Sequence, residues 1–164
     1  MSMAVASKPL KLIGRAEHVD FPRQAIDNVP ARIDTGAKTS SVWASNIRIE
    51  DDGKLHFTLF DTQSEHYTGG DVKTRTFDKI IVASSTGAVQ ERFRVKLLIR
   101  LQKRRIKASF TLADRSMQVY PILVGRNVLR GKFIVDVRHG KPSIKKELER
   151  ERTKKVQLKK GGRL

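Results

Sequence analysis

The chain has 164 residues, no cysteine, and 34 Lys and Arg against 17 Asp and Glu, for a formal net charge of +17. That length favours one domain with a core of its own, and the missing cysteines exclude disulfides, thiolate zinc sites and cysteine nucleophiles. No run approaches the ~18 apolar residues of a membrane span, and the short apolar stretch near the N-terminus is interrupted by Lys8, so a cytoplasmic protein without membrane contact is expected.

In chain order, residues 1–10 read as a leader. "VPARID" alternates, with Ala31 and Ile33 facing one way and Arg32 the other, which predicts a strand ending at Asp34. "NIRIEDDGKLHFTLF" predicts a hairpin, because Asp51-Asp52-Gly53-Lys54 supplies turn chemistry between two alternating runs. "SEHYTGGDVKT" reads as a loop around Gly69-Gly70. "FDKIIVASSTGAVQERFRVKLLIRL" predicts a long hairpin around Ser85-Thr86-Gly87. "RRIKASFTLADRS", "QVYPILVG" and "KFIVDVR" are further strands, and "GRNVLRG" is a short helix with Val128 and Leu129 turned to the core. Strands at short spacing with polar turns indicate an all-β barrel or sandwich. "SIKKELERERTKKVQL" has helical composition but no clear apolar face. The body is therefore placed at 11–137, and 138–164 is a basic tail, helical or disordered.

Basic character runs through both parts. The tail carries eleven Lys and Arg against three Glu, and residues 79–107 carry nine against Glu91. Such a balance points to an acidic partner, whether nucleic acid, membrane surface or acidic peptide. On the second arm of the long hairpin, Arg92, Arg94, Lys96 and Arg100 are even-numbered and share one strand face, a basic stripe suited to carboxylates.

Taken alone, Asp34-Thr35-Gly36 has two readings: a strand end followed by ordinary turn residues, or half of a carboxylate dyad. Further downstream, "YPILVGRNVL" sets an apolar strand before Gly125 and a short helix after it. An apolar-Asp-Thr-Gly-Ala element followed by an apolar-Gly-Arg-Asn-apolar element resembles the retropepsins, the viral-type aspartic proteases. With "IGRAEHVDFP", "SSTGAVQERF" and "LADRSM" in the same order, the match is closest to a bacterial branch over residues 12–137. That branch comprises the retropepsin-like proteins labelled "ATP-dependent zinc protease", which are associated with an ATP-grasp ligase that adds glutamates to a ribosomal protein.

The resemblance implies a retropepsin-like acid-protease barrel with one short helix, assembled as a homodimer. Asp34, Thr35 and Gly36 would be catalytic, one Asp34 coming from each subunit. Ala37 and a flap tip of Ser85, Thr86 and Gly87 would bind peptide as an added strand. Gly125 and Arg126 would support the site from a strand passing beneath it. Arg32 and Lys38 depart from the viral pattern and leave Arg126 without its usual acidic partner, for which Asp114 or Asp136 is a replacement. The implied activity is aspartic endopeptidase, on acidic or glutamate-rich substrates.

The words in the family label find no support in the residues. The four histidines, His18, His56, His66 and His139, make no H-E-x-x-H pair. "GRNVLRGKF" has five residues between glycines where a P-loop needs four. No metal, zinc, ATP or other cofactor is therefore expected. A second reading, from a different class, is a non-catalytic RNA- or ribosome-binding module that uses the basic surface and tail. Against it stand the absence of an RNA motif and an aromatic content of 6%.

Overall fold

Alternation between apolar and polar residues does most of the folding. In the strand that leads to Asp34, Val29, Ala31 and Ile33 are buried while Arg32 is exposed. In the second arm of the long hairpin, Val95, Leu97, Ile99 and Leu101 are buried, with Lys96 and Arg100 turned to solvent. The computed structural model describes residues 7–83, 86–141 and 144–161.

The first strands are β1 (Lys11–Ile13), β2 (Ala16–Phe21), β3 (Ile26–Ile33), β4 (Ser40–Ile49), β5 (Leu55–Leu59) and β6 (Asp71–Thr74). There follow β7 (Phe77–Ala83), β8 (Val89–Leu101), β9 (Arg104–Ala113) and β10 (Ile122–Val124). The chain continues through α1 (Arg126–Leu129), β11 (Phe133–Val135) and α2 (Ile144–Gly161). The expected hairpins form as β4–β5 and β7–β8, both antiparallel.

Six of the strands close on themselves. The pairing order β10-β3-β2-β8-β9-β4 returns to β10 through an antiparallel β10–β4 contact. Closure removes the unpaired edges that an open sheet would expose. The barrel is filled by Phe21, Phe57, Phe60 and Phe110, each fully buried, among aliphatic side chains. Edge-to-face ring contacts join Phe60 to Phe21 at 6.1 Å and to Trp43 at 6.3 Å. The β5–β6 extension grows off β4, and β7 pairs with β8 alone.

Among the described residues the short helix expected in the body forms as the four-residue α1, and of the two readings of the tail the helical one holds, as α2. The contacts of the body run past residue 138: Arg15 N–H donates to His139 O at 2.8 Å, and Lys141 N–H to Ala16 O at 2.7 Å. The α2 helix meets the body through polar side chains. Arg15 pairs with Glu147 at 3.2 Å, and Lys154 donates to the Ser116 carbonyl. Its Leu148, Val156 and Leu158 remain about half exposed.

Candidate active site

The Asp34 loop is built by the backbone of its own motif. At the end of β3, Asp34 N–H donates to Val124 O of β10 at 2.9 Å. Gly36 N–H and Ala37 N–H then both donate to Asp34 Oδ1, at 2.9 and 3.2 Å. Asp34 Oδ2 accepts no hydrogen bond among the described residues. The carboxylate is half-buried, one oxygen fixed and the other available. Gly36 is needed for close approach, since a Cβ there would stand 3.2 Å from Asp34 Oδ1.

A second layer holds this loop from below. Strand β10 runs between β3 and β4, parallel to the first and antiparallel to the second. Where β10 gives way to α1, a Cβ on Gly125 would lie 2.2 Å from Thr39 O, so only glycine fits. Gly125 N–H donates to Ser40 Oγ at 2.9 Å, and Ser40 Oγ–H donates to Asn127 Oδ1 at 2.7 Å. Asn127 in turn donates to Ser109 O of β9 at 2.9 Å. Ser40 is fully buried. Its place just after the motif could have suggested turn bonding, but not that its partner lay eighty-five residues away.

Arg126 corrects an expectation. Its guanidinium meets neither Asp114 nor Asp136; Nη1 donates to Thr35 O at 3.2 Å and Gly36 O at 2.9 Å. Asp114 caps Ser116 N–H, and Asp136 pairs with Arg138. Arg126 N–H also donates to Ala37 O at 2.8 Å. The cation therefore needs no carboxylate, because it clamps the carbonyls of the loop that presents Asp34.

Asp34, Thr35, Gly36, Ala37, Gly125 and Arg126 thus form one bonded unit. Thr86 and Gly87 lie at the exposed tip of the β7–β8 hairpin, where Gly87 has φ +82°. Ser85 falls outside the described residues. The outer half of this hairpin pairs only with itself, and Ile81 and Val89 are 72% and 67% exposed on it. The basic stripe on β8 is half neutralised: Arg94 pairs with Asp78, and Arg100 with Asp20 at 2.8 Å.

Another cation carries more weight than the stripe. Arg115, half-buried after β9, donates from Nε to Tyr120 O at 3.0 Å. Burial, with the positive charges of Arg92 and Arg32, brings its pKa down to about 10. Arg32, two residues before Asp34, and Arg92 of β8 are thus near enough to Arg115 to act on its charge, and none of the three forms an ion pair among the described residues. Within "LADRSM" nothing local marked Arg115, since its neighbours come from β3 and β8.

The described residues do not fit a metal. No three His, Asp or Glu side chains among them are placed to hold one. His56, the most acid-rich histidine, has Nδ1 at 2.8 Å from Asp71 and Nε2 at 3.2 Å from Asp52, so both ring nitrogens are taken.

Comparison with known proteins gives the family. Residues 12–146 match the RimB-like family model, described as retropepsin-like aspartic endopeptidase RimB. A probable alpha-L-glutamate ligase of Desulfotalea psychrophila is 30% identical over 171 residues, covering 98% of this chain and 36% of that protein. One of Shewanella halifaxensis is 30% identical over 128 residues, covering 76% of this chain and 28% of that protein. The chain thus spans about a third of the length of these curated relatives. A crystal structure of Lpg0085, a Legionella pneumophila protein of unknown function, superposes with a TM-score of 0.58 at 27% identity. That match covers 79% of this chain and 95% of the other. An Asp-Thr-Gly loop clamped by a Gly-Arg-Asn turn, on a closed barrel that matches over residues 12–146, has one assignment: the chain belongs to the RimB-like family of retropepsin-like aspartic endopeptidases.

Proposed function

We propose that the chain is an aspartic endopeptidase in which two copies each contribute Asp34 to one active site. The observation that carries this reading is the carboxylate with Oδ1 fixed by two backbone N–H groups and Oδ2 left unbonded. Two such carboxylates about 3 Å apart cannot both ionise and would share one proton. The ionised Asp34 takes a proton from water as the water oxygen attacks the scissile carbonyl carbon. The protonated Asp34 donates to the carbonyl oxygen. Collapse of the tetrahedral intermediate breaks the C–N bond and delivers a proton to the leaving amine. Such a pair titrates as a unit.

A pairing surface is available next to the loop. Leu12 and Ile134 are opposite each other in the parallel β1–β11 ribbon and are 56% and 54% exposed. Beside them, a hollow is lined by Thr35, Arg126, Leu129 and Phe133. The β7–β8 hairpin would serve as flap, with Thr86 and Gly87 offering backbone groups to an extended peptide. Arg32, Arg92 and Arg115, none of them ion-paired among the described residues, would favour an acidic substrate whose carboxylates supply counter-ions.

The test compares wild-type, Asp34→Asn and Arg115→Ala on glutamate-rich and neutral peptides. Asp34→Asn should lower kcat by about 10³-fold or more. Arg115→Ala should raise KM for the acidic peptide about tenfold, the loss of one charge-assisted contact, and leave the neutral peptide unchanged. Full activity of Asp34→Asn would end the peptidase reading.

A second reading rests on α2, whose charged residues after Glu151 are all cationic, among them exposed Lys155, Lys159 and Lys160. This end of the helix would neutralise phosphates of RNA. Binding would then fall steeply with salt and survive Asp34→Asn.

A further inference from the structure

The α2 helix does not pack flat on the barrel, and the space beneath it is a pocket. Held off by Arg15–Glu147 at one end and Lys154–Ser116 at the other, it roofs a cavity of about 590 Å³. That volume is within the range of small-molecule sites. The apolar side is made by Trp43, Pro30, Val119 and Pro121. His66 and, from α2, Arg150 share the lining.

Two polar atoms in this wall lack what burial demands. Arg150 Nη1 and His66 Nε2 are both buried without a hydrogen-bond partner among the described residues. Glu65 Oε1 is 3.3 Å from His66 Nε2 but off the line a hydrogen bond requires. An unpaired buried donor forfeits its full solvation, so a guanidinium in this state calls for an anionic acceptor. Burial lowers the His66 pKa, with Glu65 opposing and Arg150 adding to the shift, and the tautomer protonated at Nε2 would donate to a bound anion. Glu65 and Glu149 also line the cavity and would disfavour a doubly charged anion.

We propose that this cavity binds a small monocarboxylate with an apolar, ring-bearing body. The carboxylate accepts from Arg150 and from His66, and the body lies against Trp43 and the two prolines. The site is separate from the Asp34 loop, and it does not depend on peptidase activity.

Trp43 is the only tryptophan in the chain and lines this cavity, so its fluorescence is sensitive to a ligand bound there. The full-length protein is titrated with phenylacetate and 3-phenylpropionate, with phenylacetamide as a neutral match. Expected is a saturable change in Trp43 emission with either carboxylate at millimolar concentration. The response should weaken at least tenfold with the amide and with Arg150→Ala, whose fold is checked by circular dichroism. Arg150→Lys, which keeps the charge, should retain part of it. No saturable change with either carboxylate, equal binding of the amide, or unaltered binding by folded Arg150→Ala would each overturn the proposal.

Discussion

Gly125 and Ser40 show how much of the candidate site depends on single atoms. A methyl group at Gly125 would meet Thr39 O at 2.2 Å and Ala37 O at 2.9 Å, backbone atoms that cannot swing aside. Gly125→Ala should cost about 3 kcal/mol or more, measured as a lowered urea midpoint, with loss of any Asp34-dependent activity. Ser40→Ala is milder: it leaves the buried Gly125 N–H without its acceptor, a cost of about 1–3 kcal/mol. Away from the site, His56 sits between Asp71 and Asp52, and the Asp71 bond is the larger cause of its raised pKa. The His56 bond is the main cause of the lowered pKa of Asp71, whereas Asp52 is lowered chiefly by Lys54 N–H and secondarily by His56. A raised folded-state pKa means that the histidine's contribution is fully present below its unfolded value of about 6.5. It is lost as pH rises through the folded value. His56→Gln should therefore narrow its stability gap to wild-type as pH climbs from 6 toward 9, read from denaturation midpoints beside an NMR titration of the ring. A gap independent of pH would mean that the imidazolium does not form.

Among the elements, the tight turn between β8 and β9 has the least usual residues for its geometry. Gln102 and Lys103 both have positive φ, at 50° and 63°, in a two-residue connection that favours Asn-Gly. Neither residue is a usual turn former, yet the two strand readings stop at Leu101 and resume at Arg104, which is where the turn falls. Gln102 has a reason to stay, because its side chain donates to Glu17 and its carbonyl accepts from Lys11. Lys103 makes no such contact among the described residues. Lys103→Gly should stabilise the fold by up to about 1 kcal/mol, seen as a raised denaturation midpoint, by relieving the left-handed backbone. By contrast, the turn at Asp51–Lys54 was plain in the sequence, since Gly53 takes φ +73° and Asp52 accepts from Lys54 N–H. The short helix at Arg126–Leu129 was equally plain, with Val128 and Leu129 buried as their spacing demanded.

For the whole molecule, the consequence to test is pairing. On the proposed mechanism one Asp34 needs a second carboxylate, and the exposed β1–β11 ribbon is the apolar surface that lies beside Thr35. Ile134→Asp should shift sedimentation toward monomer and abolish peptide cleavage together, while circular dichroism of the barrel stays intact. Cleavage by a demonstrated monomer would remove the shared-dyad mechanism and leave the fold assignment untouched.

By itself the sequence determined β3, the β4–β5 and β7–β8 hairpins, the Asp51–Lys54 turn, the α1 helix and the loop motif, because alternation, turn chemistry and a glycine's freedom act within a few residues. It did not mark β1 or β2, and it read 64–74 as a loop, whereas Asp71–Thr74 forms β6 because β5 offers it an antiparallel partner. Only the tertiary structure decided what surrounds the loop motif. Ser40 with Gly125, Arg126 with the Thr35 and Gly36 carbonyls, and Arg115 with Arg32 and Arg92 join residues remote along the chain. Barrel closure through β10 creates these meetings, and no local pattern encodes which residues a closed sheet brings face to face. The same holds for α2, whose composition allowed a helix but whose polar footing, and the cavity beneath it, exist only because the body offers Arg15 and Ser116.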